Sequence, residues 1–382
     1  MTVVLEVLFW LSCVLIVWTQ VGYALALALA VRLSGGAPAA AAPAPLPTLS
    51  LIIAAHDEES VIGAKVANAL AQDYPRELLE VIVACDGCTD GTAAGARRAG
   101  ADLVLDLVRG GKIRAQDAAV QRATGEILAF SDANALWEPD AARVLVGAFA
   151  DPDVGYACGQ VRFVQAATGA DAGNQEGLYW RYELTVRSME SRLSSITAGN
   201  GAIYATRSDS YIVVDPIMGH DLSLPFNIVK RGMRAVYVPD ARATEKMVPS
   251  LTGEFARKRR MMSHTWPIVL RGGMLSPRGY SPGYAVMVFS HRVLRYSTPL
   301  LHLLALACNL ALVAAGAGTV YTVTLALQLL LLAAAALAGG WRARPLLIAR
   351  YYVLTTASPA AGLWDWLRHG TSASWEAAQG TR

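Results

Sequence analysis

Apolar residues run almost unbroken from Val3 to Val31, with Glu6 the charged exception. A run of that length crosses a bilayer as a helix. It lacks a basic leading region and exceeds the apolar core of a signal peptide, so it reads as an uncleaved anchor. Further apolar blocks cover Leu300–Gly316 and Val320–Leu337, with Gly316-Ala317-Gly318 as a tight hairpin between them. A weaker block, Leu346–Ala361, carries Arg350 and Pro359; it spans, re-enters or lies at the interface. Between anchor and hairpin the pattern changes. After a Pro/Ala linker, strands at Leu49–Ala54, Leu79–Ala84, Leu103–Leu105 and Ile127–Phe130 alternate with helices at Glu58–Leu70, Thr92–Ala99 and Lys112–Arg122. That alternation predicts right-handed βαβ crossovers and a mainly parallel sheet, an α/β class.

The polar groups gather where those strands end. His56-Asp57-Glu58-Glu59 follows the first, Asp86-Gly87-Cys88-Thr89-Asp90-Gly91 the second, and Asp132-Ala133-Asn134 the fourth. Open α/β sheets bind ligands at that edge. Carboxylates crowded there need a cation or donors, which points to a metal-assisted polar ligand. No G-x-G-x-x-G follows the first strand, so a dinucleotide site is excluded. Gly110-Gly111-Lys112 continues with Ile113, which excludes a P-loop. Lys112 at a helix start is either a phosphate contact aided by backbone N–H groups or a solvated lysine.

Composition agrees with a membrane protein. Of 382 residues 54% are hydrophobic and 16% charged, and the mean hydropathy is +0.36; soluble domains carry about 25% charge. Arg32 follows the first span and Arg342, Arg344 and Arg350 follow the hairpin, which puts the central region in the cytoplasm by the positive-inside rule. Arg257-Lys258-Arg259-Arg260, with Arg271, Arg278, His291, Arg292 and Arg295 after it, reads as a basic belt facing anionic lipid. The one C-x-x-C, Cys85 to Cys88, encloses an Asp-Gly turn and lacks the second pair of a zinc site. A transporter would need more spans and intramembrane polar sites.

The ordered motifs resemble the membrane-bound family 2 glycosyltransferases with a GT-A nucleotide-sugar domain. They are Ala55-His56-Asp57-Glu58-Glu59, Asp86 to Thr92, Gly111-Lys112, Ser131-Asp132-Ala133-Asn134, Ala198-Gly199-Asn200-Gly201-Ala202, Gly219-His220-Asp221 and Ala243-Thr244-Glu245. The likeness runs on to Leu367-Arg368-His369-Gly370 and Trp375-Glu376. It implies a GT-A domain over 49–250 between an anchor (1–34), a linker (35–48), an amphipathic interfacial segment (251–296), a membrane region (297–366) and a polar tail (367–382).

The same resemblance implies roles. Ala55, Glu59, Asp86, Lys112, Asp132 and Ala133 would bind a nucleotide sugar, with Asp86 on the base. Asp132 and Asn134 would hold Mg2+ or Mn2+, and Gly199, Asn200 and Gly201 would face the acceptor. Asp221 would be the catalytic base, with a helix N-cap as the alternative. Arg257 and Arg260, on one helical face, would cover the diphosphate. Trp180 and Tyr182 offer faces for a sugar or for core packing. The expected partners are a nucleotide-sugar donor, a lipid or glycan acceptor and membrane lipids, with no nucleic acid.

Departures are visible too. His220 stands where the family often has Glu, Asn134 replaces a second Asp, and Cys85 stands where an acid is frequent. Q-x-x-R-W becomes Arg257-Lys258-Arg259-Arg260-Met261, with Trp266 further on, which leaves processive synthesis open. Those softened acids support the alternative of a catalytically silent membrane scaffold or sugar-nucleotide-binding partner.

Overall fold

The computed structural model describes residues 2–35, 45–164, 170–246, 251–338 and 343–373. Most of the Pro/Ala linker, Arg342 and Trp375-Glu376 lie outside the described residues.

Helices α1 (Thr2–Val17) and α2 (Tyr23–Ser34) run through a π-turn as one rod. There follow β1 (Leu49–Ala55), α3 (Glu59–Leu70), β2 (Leu79–Asp86), α4 (Thr92–Arg98), β3 (Leu103–Leu107), α5 (Lys112–Val120) and β4 (Ile127–Asp132). The expected elements are all present, and all four strands continue one or two residues further. Next come β5 (Leu136–Trp137), α6 (Ala141–Gly147), β6 (Val154–Val164), α7 (Ala170–Leu193), β7 (Tyr204–Arg207), α8 (His220–Lys230) and β8 (Arg234–Lys246). The chain closes with α9 (Leu251–Leu270), α10 (Pro282–Val288), α11 (Arg295–Ala314), α12 (Thr319–Leu337) and α13 (Arg344–His369).

One sheet of order β3-β2-β1-β4-β7-β6-β8-β5 forms the centre. β3, β2, β1 and β4 are parallel to one another, whereas β7 and β5 pair antiparallel with their neighbours. Leu51, Ile53, Val81 and Val83 pack one face under α3 and α6; Ile52, Ile82, Phe130 and Tyr204 pack the other. A strand buried on both faces is apolar throughout, which is why β1 and β2 read as continuous runs. The chain winds outward from β1 through β2 to β3 and returns to β4 on β1's other side. The crevice of this sheet therefore opens between the ends of β1 and β4. Register pairs Ala54 with Asp132 and Ala55 with Cys85, so the loops after β1, β2 and β4 leave the sheet side by side.

Among the described residues three helices are long and apolar enough to cross a membrane: Thr2–Ser34, Pro282–Ala314 and Thr319–Leu337. α13 is not one of them. It lies on α9, where Trp266 Nε1 donates to the Pro359 carbonyl (2.9 Å) and Arg259 pairs with Asp365.

For His291, Arg292 and Arg295 the expected basic belt is corrected. His291 and Arg292 are buried, on a helix continuous with the second candidate span. His291 stands between Glu190 (2.7 Å) and Glu183 (3.3 Å), and Arg295 pairs with Glu183 at 2.7 Å. These residues face protein because α7 offers two buried carboxylates for them. Burial alone would raise the Glu183 carboxyl, but Arg295 and His291 outweigh it and hold it well below its ordinary value. The Glu190 carboxyl is likewise lowered, His291 and Arg292 outweighing burial.

Glu190 also accepts from the Tyr23 hydroxyl (2.7 Å) and from the Thr197 amide (3.2 Å). Thus the first candidate membrane helix meets the α/β domain through a carboxylate. Removing one member of such a buried charged set costs about 3–5 kcal/mol, and one hydrogen bond to a charged group about 1.5–3 kcal/mol. Glu190→Gln is expected to lower the melting temperature in detergent more than Tyr23→Phe does. Melting like the wild type in both would show that the cluster does not hold the helix.

Candidate functional site

Asp132 ends β4, and the turn behind it closes with the Ala135 amide donating to the Asp132 carbonyl (3.2 Å). Lys112 Nζ donates to Asp132 Oδ1, and both side chains are about three-quarters buried. Burial alone would lower the Lys112 ammonium, but Asp132 first, with Asp221 and Glu245, raises it. Lys112 is placed by Asp86. That carboxylate, buried at the end of β2, accepts from the Gly110 amide (2.6 Å) and the Gly111 amide (3.0 Å), fixing the loop into α5. Those amides are therefore spent inside the protein, and the loop they fix sets Lys112 against Asp132.

The 199–201 loop leans over this pair. A Cβ on Gly201 would lie 3.2 Å from Lys112 Nζ and 3.5 Å from Asp132 Oδ2. One on Gly199 would meet the buried Tyr156 hydroxyl at 2.0 Å, so the loop approaches only because glycines occupy it. Asn200 spends its side chain inward, donating to the Gly159 carbonyl (2.8 Å) and accepting from the Ile203 amide (2.9 Å). It shapes the loop. Behind the loop, the Ser131 hydroxyl and Trp137 Nε1 both donate to the Ala202 carbonyl (3.0 Å each).

Asp221 lies in the first turn of α8, and its carbonyl accepts from the Gly199 amide (2.7 Å). The residue before α8 is Gly219, and no side chain caps that end, so the N-cap reading of Asp221 falls. His220 is buried between Tyr204 (2.9 Å to Nδ1) and Tyr211 (3.3 Å to Nε2), edge-on to Phe130. Burial, then the charge of Lys112, pushes its pKa down to about 3. The ring is neutral, so it adds no positive charge beside Lys112, although the carboxylate common at this position is missing.

The other expected residues distribute as follows. Ala55 and Ala133 are buried backbone positions at the ends of β1 and β4. Asn134 is half-buried in the turn after Asp132. Glu59 is exposed and accepts from the Gly91 amide (3.1 Å), bridging the first two loops instead of reaching Asp132. Arg257 acts electrostatically on Glu245, whereas Arg260 is exposed on α9. Trp180 donates to the Val161 carbonyl (3.0 Å) and packs on Phe163, a core role.

Sequence reasoning missed Lys65 and gave Glu245 no role. Lys65 is fully buried, its ammonium donating to the Ala135 carbonyl (2.6 Å) and lying over Trp137. Burial pushes its pKa down to about 7, against the pull of Asp132 and Glu245. Burial and then Asp132 push the Glu245 carboxyl up to about 7. The available signal for Lys65 was its place on the apolar stripe Ile62, Val66 and Ala69 of α3. At the far side the carboxyl-terminal segment returns to the site: Thr371 donates to the Ser263 carbonyl (2.8 Å), and the Ala373 carbonyl packs on Gly111.

His220 makes the fold sensitive to acid. An unfolded histidine takes its proton near 6.5, while the folded one resists until about 3. Its contribution is complete above 6.5 and falls as pH drops, by up to about 1.4 kcal/mol per unit. Glu245, raised, acts in the opposite direction over pH 4.5–7. The measurement is therefore the difference between wild type and His220→Phe. Melting at pH 7 and pH 5 should show the wild type losing more stability than the variant.

Residues 47–263 match the model of the glycosyltransferase-like family 2. An N-acetylglucosaminyltransferase of Rhizobium meliloti (strain 1021) is 27% identical over 234 residues, 55% of this chain and 53% of that protein. The chain thus spans about half the length of that curated relative. Mannosyltransferase PcManGT from Pyrobaculum calidifontis, solved with GDP-Man and Mn2+, superposes with a TM-score of 0.70 at 24% identity, covering 94% of this chain and 99% of that one. It shares the GT-A fold flanked by apolar helices. With more than half of its length inside the family model, the chain belongs to the family 2 glycosyltransferases.

Proposed function

We propose that this chain is a membrane-anchored, inverting glycosyltransferase that moves a sugar from a UDP-sugar to a lipid or glycan acceptor at the cytoplasmic membrane face. The observation that carries this reading is the convergence of Asp132, Lys112 and Gly201, with Asp221 acting on the same lysine. The curated relative is an N-acetylglucosaminyltransferase, which makes a UDP-N-acetylhexosamine the first donor to try. Arg32, at the last turn of the first helix, favours the cytoplasmic side for the domain that follows.

A divalent cation fits this site by its donor chemistry. Asp132 and Glu245 repel one another strongly enough to contribute to the raised Glu245 carboxyl, and Asn134 follows Asp132 by two residues in the turn after β4. Hard ions take such oxygen donors and complete their shell with substrate phosphates; PcManGT was solved with Mn2+. Mg2+ or Mn2+ held by Asp132 and Asn134 would supply Lewis-acid stabilisation of the departing diphosphate. Lys112 meets part of that developing charge from its fixed position. Asp221 takes the proton of the acceptor hydroxyl as it attacks opposite the leaving group, a contribution of about 10²–10⁴-fold. Gly199 and Gly201 bring the acceptor's loop close enough for that attack. Arg257 is the basic residue of α9 nearest this chemistry.

The scaffold alternative rested on His220 and Asn134. Neutral and turned into its tyrosine pocket, His220 adds no positive charge to the site, and the pairing of Lys112 with Asp132 persists without the family's carboxylate at this position. The test is UDP release by the reconstituted protein with a panel of UDP-sugars, Mg2+ or Mn2+, and lipid extract. Release with one sugar is expected, reduced at least ~10²-fold in Asp221→Asn and lost in Asp132→Ala. Release from a GDP-sugar alone would correct the donor. Silence with every donor would leave the scaffold.

A further inference from the structure

The loops after β1 and β2 carry a second constellation, apart from Asp132. His56, Asp57 and Cys88 each present a ligand atom, and these atoms all lie within 4.8 Å of one another. The parallel pairing of Ala55 with Cys85 brings them together. Spacing along the chain did not reveal it, because Cys88 meets the preceding loop and not a second C-x-x-C.

We propose that His56, Asp57 and Cys88 bind a borderline-soft divalent cation of the Zn2+ class. His56 is already oriented as a ligand. Its Nδ1 donates to the Asp86 carbonyl (2.7 Å), the backbone bond that fixes the tautomer of metal-binding histidines. Nε2 then carries the lone pair, and it stands 3.6 Å from Asp57 Oδ2. Nitrogen and oxygen ligands about 2.1 Å from a tetrahedral zinc lie roughly 3.4 Å apart, so little adjustment is needed. Asp57 is held by the Thr89 amide donating to its Oδ1 (2.7 Å), and its backbone sits at φ +49°.

The thiol is placed as well: Cys88 is half-buried, and its Sγ lies 3.5 Å from the Ala55 carbonyl, at the foot of the loop that carries His56 and Asp57. Binding exchanges the Cys88 proton, which passes to buffer, for the metal–sulfur bond; no oxidant takes part. Thiolate and imidazole select Zn2+ or Co2+ over the hard ions suited to Asp132 and Asn134. All three side chains are partly exposed, giving the ion a path and leaving a coordination position for solvent. An ion here joins the loop after β1 to the loop whose Asp86 fixes Gly110 and Gly111.

Co2+ is the probe. Added to the metal-free full-length protein in detergent, with its thiols reduced, it should produce a near-ultraviolet thiolate-to-cobalt band that saturates at one ion and is bleached by Zn2+. Cys88→Ser should abolish the band, and His56→Gln should weaken Co2+ binding at least ~10-fold. Asp132→Asn and Cys85→Ser should both retain the band, separating this site from the catalytic metal and from the C-x-x-C pair. Thermal melts check that each variant is folded; if Cys88→Ser is not, His56→Gln decides. No band in the wild type, a band that survives Cys88→Ser, or one lost in Asp132→Asn would overturn the proposal.

Discussion

A carboxylate withdrawn from water must be met by donors, and Glu190 draws them from distant parts of the chain. Tyr23 comes from the first membrane helix, His291 from the second, and the Thr197 amide and hydroxyl from the segment leading into Gly199. Arg292 donates to the Thr197 hydroxyl (2.8 Å), closing the circuit. Leaving such a group half-satisfied costs more than an apolar replacement would. The network therefore makes the arrangement of helices, α7 and glycine loop all or nothing. The candidate membrane helices are built into the same unit as the α/β domain.

Above that base the site is assembled by spent polar groups. Asp86, Glu59, Asn200 and Lys65 turn their side chains to backbone atoms and hold loops in place. Asp132, Lys112 and Asp221 are left to interact with one another across the crevice. Preorganisation of this kind puts charge where it will be needed without rearrangement at the moment of reaction.

The strands and helices through Asp132 are legible in the sequence because parallel strands buried on both faces are unbroken apolar runs, and their loops hold the polar residues. The crevice follows from that order alone. What stayed hidden depends on contacts across long separations. Nothing local distinguishes a buried His291 from a lipid-facing one until Glu183 and Glu190 are set against it. Nor does position alone reveal that His220 is neutral, since that depends on its burial among Tyr204, Tyr211 and Phe130 and on the charge of Lys112. Asp86 shows the same limit: its motif marks it as important, but only the fold shows it holding the loop before Lys112.

The Tyr23–Glu190 bond also has a mechanical side. Tyr23, Glu190 and Thr197 are joined by hydrogen bonds of 2.7 and 3.2 Å, so the first apolar helix and the segment leading to Gly199 share one support. A helix longer or shorter than its bilayer must tilt or shift. Were the first helix set in a bilayer, as its length and composition allow, the hydrocarbon thickness would bear on the height of the glycine loop through that support.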